Sequence, residues 1–251
     1  MNNKYLTKNF IMGQEPRWHC PSCDIGILKL VNKFLIHSDA ATQKDSNEEW
    51  FEPEYSRYVF TGILGCENCS EFVVVTGVGN IEEYYDEEGG GYDTILTPKF
   101  FQPPLKIINP NVSSEVPPDV MMHLEQAFQI FWSDSGSCVN RLRTSIEYLL
   151  DGLGVTRINA NGGRLALAHR INQLSDPKHL EVKDALNSIR HMGNDGSHGS
   201  IDIEREELLQ AFSVVNYCMQ KLYPNISEEV EVMTFVNKVN QQKGFREKNQ
   251  M

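Results

Sequence analysis

The segment Cys66-Glu67-Asn68-Cys69-Ser70-Glu71-Phe72-Val73-Val74-Val75-Thr76 joins a CxxC pair to a run of strand-forming residues. A second pair, Cys20-Pro21-Ser22-Cys23, lies upstream, with residues 24–65 in between. Each pair can place two thiolates on one tight turn, so that the two pairs together supply a zinc tetrahedron. We therefore expect Cys20, Cys23, Cys66 and Cys69 to bind one zinc ion. A closed four-thiolate site leaves no open position for substrate, so this zinc is expected to be structural.

Other interpretations of the cysteines stay open at this point. The two pairs can instead form disulfides or a redox CxxC, although a reducing cytoplasm disfavours both. His19 and His37 are nearby residues that can replace a thiolate ligand. Cys138 and Cys218 stand singly in helical patterns, where a free cysteine usually behaves as a small buried hydrophobe.

Charge divides this 251-residue chain into two halves. Residues 1–136 hold 9 Lys and Arg against 20 Asp and Glu, whereas residues 137–251 hold 14 of each. The neutral C-terminal half leaves room for a basic patch, with candidates Arg141, Arg143, Arg164, Arg170 and Arg190. The sequence has neither an apolar run of membrane-spanning length nor an apolar N-terminal segment typical of a signal peptide, so we expect a cytoplasmic protein.

Residue patterns predict strands first and helices later. β-compatible runs cover residues 26–37, 58–64 and 72–76, and the polar stretch 39–55 is expected to be a loop. The acidic, glycine-ended run 82–91 is expected to be a solvated excursion. After Pro118 the apolar residues follow a helical period. We predict an α+β protein, with a zinc-ribbon β domain over residues 1–117 and an all-α helical bundle over residues 118–251 that ends in a frayed tail.

The candidate site is Arg190-His191-Met192-Gly193-Asn194-Asp195-Gly196-Ser197-His198. We expect a helix to end near His191, and Gly193 and Gly196 to permit a turn that folds His198 back toward Arg190. A guanidinium beside an imidazole suits metal-independent cleavage of RNA, because the first stabilises phosphate charge and the second moves a proton. The alternative is that Asn194, Asp195 and His198 satisfy backbone groups in a loop between packed helices.

A second segment carries a family resemblance together with the candidate site: Asn140-Arg141-Leu142-Arg143-Thr144-Ser145-Ile146-Glu147-Tyr148-Leu149-Leu150. Together with residues 189–198, it resembles a HEPN-like bacterial domain of unknown function that occurs alone or in restriction-endonuclease subunits. The resemblance covers about residues 118–223, and stand-alone members also carry a two-knuckle ribbon ahead of the helices. It implies an up-and-down helical bundle that often forms a homodimer, and that sometimes cleaves RNA in antiviral defence and sometimes only binds.

The resemblance also assigns roles to residues. Arg190, His191 and His198 correspond to the catalytic elements, although seven residues lie between Arg190 and His198, whereas the histidine of ribonuclease members follows about four to six residues on from the arginine. Asn194 is a possible orienting group, and Arg143 and Glu147 lie on the helix that lines the same region. We therefore carry two hypotheses: a defence effector that acts as a metal-independent endoribonuclease, and a non-catalytic module that binds nucleic acid or a partner protein.

Overall fold

The computed structural model describes residues 3–87, 89–198 and 203–242. In the N-terminal part, short 3-10 turns cover Asn3–Leu6 and Pro53–Tyr55. The strands and the first helix are β1 (Phe10–Ile11), β2 (Leu28–Leu30), β3 (Leu35–Ser38), α1 (Ala40–Asp45), β4 (Arg57–Cys66), β5 (Phe72–Asp86) and β6 (Gly89–Gln102).

These strands form one antiparallel sheet in the order β1-β6-β5-β4-β2, with β3 also paired to β4. The sheet curls into a half-barrel. Side chains alternate along β4, so that Phe60 and Leu64 are buried while Val59 and Ile63 are exposed. This alternation is the two-residue period of a strand with one face on the core. Cys66 ends β4, and the sheet extends well beyond the short strands that the sequence predicted for a zinc ribbon.

The run 82–91 is not the solvated excursion that we predicted. Its residues extend the β5–β6 hairpin, and Tyr84 faces Gly91 while Tyr85 faces Gly90. The tyrosine rings lie over the glycines, because a Cβ atom on either glycine would come within 2.9 Å of the facing ring or its hydroxyl. Glu82, Glu83 and Asp86 are exposed, so charge repulsion does not prevent the backbones from pairing.

The C-terminal part is helical. Its helices are α2 (Pro118–Ile130), α3 (Ser135–Gly152), α4 (Leu167–Asn172), α5 (Pro177–Leu180), α6 (Lys183–His198), α7 (Arg205–Leu222) and α8 (Ile226–Gln242). In the part of the chain that the structure describes, none of the helices combines the length and the apolar character needed to cross a membrane. The sequence predicts a frayed tail from Gln241 onward; α8 includes Gln241 and Gln242, and the rest of that tail lies outside the described residues.

The predicted all-α up-and-down bundle of a HEPN-like domain is wrong, although the coarser α+β class fits. The helices differ greatly in length, and residues 153–166 form an irregular connection with a β-bridge between Ile158 and Arg164. The sheet and the helices also share one hydrophobic core. At their junction Phe101 packs on Trp132 with ring centroids 4.6 Å apart.

The expected turn after His191 is also absent, because α6 continues through Gly193 and Gly196 to His198. Both glycines serve close packing against α3. A Cβ atom on Gly196 would lie 2.7 Å from the carbonyl oxygen of Gly136, and one on Gly193 would lie 2.7 Å from Cδ of Arg143. The glycines thus allow two helices to approach, a role that a single sequence does not distinguish from a helix end.

This packing gives a test at Gly196. Alanine favours helix by about 1 kcal/mol over glycine, but its Cβ would press on the backbone of Gly136, and overpacking costs about 1–3 kcal/mol. We expect Gly196→Ala to lower the free energy of unfolding measured in urea. Gln210→Ala, at an exposed position of α7, is the control and should change it by less than about 0.5 kcal/mol. A more stable Gly196→Ala protein would contradict the close helix contact.

Candidate functional site

The thiols of Cys20, Cys23, Cys66 and Cys69 form one cluster in which all sulfur atoms lie within 4.8 Å of one another. The Sγ atoms of Cys20 and Cys69 are 3.6 Å apart, and those of Cys23 and Cys66 are 3.7 Å apart. Thiolates about 2.3 Å from a tetrahedral ion lie roughly 3.8 Å from each other, whereas a disulfide needs about 2.05 Å. The arrangement therefore fits a metal ion and not two disulfides.

Backbone geometry supports this cluster. The N–H groups of Ser22 and Gly26 donate to Sγ of Cys20 and Cys23 at 3.4 and 3.3 Å. Hydrogen bonds lower the pKa of Cys23 to about 6, with the largest contribution from the N–H of Gly26 and the next from the side chain of Asn68, and this favours the thiolate that a metal binds. A Cβ atom on Gly26 would lie 2.3 Å from Sγ of Cys66, so only glycine fits there. Sequence reasoning did not single out Gly26.

The two histidines considered as substitute ligands are not in the cluster. His19 forms an isolated bridge with Ile27 and its ring lies near that of Tyr5. His37 is in β3 opposite Val59. Among the described residues, the candidate ligands are therefore the four cysteines that the spacing predicted.

A polar face of α6 carries the second set of predicted residues. Nε of Arg190 donates to Oδ1 of Asn187 at 3.1 Å, and Nη2 of Arg190 lies 2.6 Å from Nε2 of His191. A guanidinium has no acceptor, so Nε2 of His191 accepts this hydrogen bond. His191 is exposed. The helix thus presents a guanidinium and an imidazole side by side on its surface.

His198 does not fold back toward Arg190. Because α6 is continuous between them, a rise of about 1.5 Å per residue separates their backbones by roughly 12 Å along the helix axis. The side chain of His198 lies outside what the structure describes. Its catalytic assignment stays a prediction, and a site of Arg190 with His198 on one compact turn is not formed.

Arg143 connects α3 to this face. Its Nη1 donates to Oδ1 of Asn194 at 2.8 Å, and its Nε lies 3.9 Å from Oε1 of Glu147. Asn194 therefore orients the arginine of a neighbouring helix, and among the described residues no hydrogen bond joins it to Arg190. Arg143 contacts α6 directly, whereas Glu147 pairs with Arg143 and Arg164. Supporting roles for Arg143, Glu147 and Asn194 stay a prediction.

An ion network that sequence analysis missed lies beyond Glu147. Asp151 accepts hydrogen bonds from Nε of Arg157 at 2.9 Å and from Nη2 of Arg170 at 2.6 Å. Burial alone would raise the pKa of Asp151, but the two guanidinium groups outweigh it and hold the pKa below its usual value. The signal in the sequence was weak, since Arg157 lies in an irregular segment without a motif.

Two family models match the chain in succession. Residues 8–101 match a Domain of unknown function (DUF8608), and residues 125–247 match a Domain of unknown function (DUF4145). No curated protein and no solved structure is similar enough to the chain to be matched. The first model spans the sheet and its thiols, and the second spans α3 and α6, but neither description names an activity.

The thiol cluster predicts metal binding that depends on both CxxC pairs. Purified, reduced protein should hold about one metal ion per chain, and Cys66→Ser and Gly26→Ala should each lower that content strongly in elemental analysis. Cys138→Ala removes a buried thiol outside the cluster and is the matched control. Metal loss should also destabilise the sheet, since such sites contribute on the order of 10 kcal/mol. Equal metal content in the wild type and Cys66→Ser would contradict the site.

Proposed function

We propose that this protein binds RNA through the polar face of α6 and that it acts as a module stabilised by a structural zinc ion. The observation that carries the proposal is the surface pair of Arg190 and His191, whose side-chain nitrogens lie 2.6 Å apart. Arginine binds phosphate through paired N–H donors, and contacts to the phosphate backbone supply most of the affinity for nucleic acid.

The charge distribution is compatible with this role. The acidic residues that give the chain its net charge of −11 are concentrated in residues 1–136, whereas residues 137–251 are balanced. Asn187 and Asn194 flank Arg190 on α6 and offer amide groups that can reach sugar or base edges. Single-stranded RNA is the nucleic acid that we propose, because its unstacked bases and 2′-hydroxyls are open to hydrogen bonds from side-chain amides and guanidinium groups.

Metal-independent RNA cleavage is the second candidate, and the Arg190–His191 contact specifically favours it. In this reaction the ribose 2′-hydroxyl attacks the adjacent phosphorus and the P–O5′ bond breaks. Arg190 would turn from Nε2 of His191 to the phosphate and stabilise the charge that develops there. Nε2 of His191 would then take the hydroxyl proton, and the 5′-oxygen would leave with a proton from the imidazolium or from water. A role in antiviral defence rests on the resemblance alone and is part of the same proposal.

Zinc is the metal that fits four thiolates best in a cytoplasmic protein, where thiols stay reduced. A homodimer is a further part of the proposal. It is supported by exposed apolar side chains along α8, where Val230, Met233 and Val236 are 56%, 51% and 38% exposed. A second copy can cover such a stripe, and a two-fold interface would bring two α6 faces into one assembly. A defence-system partner protein is the alternative occupant.

Two substitutions separate binding from cleavage. We expect Arg190→Ala to weaken binding of a single-stranded RNA by about tenfold in fluorescence anisotropy, because a charged hydrogen bond contributes about 1.5–3 kcal/mol. His191→Gln keeps an acceptor beside Arg190 and should leave RNA affinity nearly unchanged. If the protein cleaves RNA in EDTA, His191→Gln should abolish the cleavage.

The matched control is Arg17→Ala, which removes one exposed positive charge from the N-terminal part. It should not change RNA affinity, and thermal unfolding should show that all variants are folded. RNA binding that is absent in the wild type, or unaffected by Arg190→Ala, would overturn the proposal.

A further inference from the structure

A cavity of about 390 Å³ lies between α3, the irregular connection 153–166 and α4. Its polar wall contains Arg143, Glu147, Arg157, Arg164 and Arg170, and its apolar wall is the segment 165–167. The volume lies within the range of small-molecule sites. The cavity combines a polar wall with an apolar one, as sites for organic anions do.

The charges around the cavity do not balance. Glu147 lies between two arginines: its Oε1 is 3.9 Å from Nε of Arg143, and its Oε2 is 3.6 Å from Nη2 of Arg164. Asp151 is likewise shared by Arg157 and Arg170. Four guanidinium groups therefore face two carboxylates, which leaves two positive charges. A phosphomonoester carries about −1.5 to −2 at neutral pH and would neutralise this excess.

Buried donors point to a missing acceptor. The side chain of Arg170 is only 3% exposed, and its Nε has no hydrogen-bond partner among the residues that the structure describes. Nε of Arg143 is also buried without a hydrogen bond there, since its ion pair with Glu147 is too long. Buried donors nearly always have a hydrogen-bond acceptor in folded proteins, so an acceptor bound in the cavity would complete these missing hydrogen bonds.

We propose that this cavity binds a phosphomonoester, with the phosphate among the arginines and an apolar organic group against residues 165–167. Arg164 is 78% exposed along its side chain and can move onto the ligand from the rim. The phosphate can belong to a free nucleotide or to the 5′ end of an RNA strand. The proposal does not depend on RNA binding by the α6 face, because the cavity is built from α3, α4 and the connection between them.

The test is calorimetric titration of the full chain with 5′-AMP, with adenosine as the ligand that lacks phosphate. We expect 5′-AMP to bind and adenosine not to bind, and inorganic phosphate to compete. Arg164→Ala should weaken binding of 5′-AMP by about tenfold, because a charge-assisted contact is lost. Arg164 is exposed, so this variant should fold normally. Arg141→Ala, an exposed arginine of α3 outside the cavity, is the matched control.

Two further arms identify the source of the phosphate and separate this site from the α6 face. If a 5′-phosphorylated oligoribonucleotide binds more tightly than both 5′-AMP and the same strand with a 5′-hydroxyl, the site is supported and its ligand is an RNA end. If 5′-AMP binds more tightly than the phosphorylated strand, the site is supported and its ligand is a free nucleotide. Arg190→Ala should leave 5′-AMP affinity unchanged even where it weakens RNA binding. Failure of all phosphate ligands to bind at about 5 mM, or equal losses in Arg164→Ala and Arg141→Ala, would overturn the proposal.

Discussion

The helical part depends on the close approach of α3 and α6 where Gly136 meets Gly196. A Cβ atom on either residue would lie within 2.9 Å of the other's backbone. This contact allows α6 to continue past Gly193 with Arg143 packed over it, and Arg143 then donates to Asn194. Two surfaces adjoin this packing: the polar face of α6 with Arg190 and His191, and the cavity that Arg143 and Glu147 line together with three further arginines. A change in the helix spacing would therefore affect both.

The sheet has an equivalent constraint in its thiol cluster. Gly26 lies against Sγ of Cys66. The turn that carries Cys20 and Cys23 can therefore pack onto the end of β4 only if residue 26 has no side chain. Four Sγ atoms within 4.8 Å repel each other once they are deprotonated, so a bound cation would hold the thiolates together. The metal would thus hold β2 and the β4–β5 turn in place, while the shared core around Phe101 and Trp132 connects the sheet to the helices.

Some parts of the fold and of the candidate site could be predicted from the sequence, and others could not. The cysteine ligands were predictable because metal geometry demands pairs on tight turns, and α2 and α3 were predictable because their buried residues follow the helical period. The acidic hairpin and the length of α6 were missed for one reason. Glycine is compatible with a chain reversal and with close packing alike, and only the partner, Tyr84 for Gly91 or Gly136 for Gly196, decides between them. The ion pairs of Asp151 were missed because Arg157 and Arg170 approach it from separate segments.

RNA binding by α6 is tested most directly by crosslinking the full chain to a uniformly labelled single-stranded RNA with ultraviolet light and identifying the modified peptides by mass spectrometry. We expect crosslinks on peptides of α6 around Arg190 and His191. At an RNA concentration below the dissociation constant they should be strongly reduced in Arg190→Ala, while the metal content of the protein stays unchanged. Crosslinks confined to the sheet of residues 10–102, or the same α6 crosslinks in the wild type and in Arg190→Ala, would contradict RNA binding by this helix.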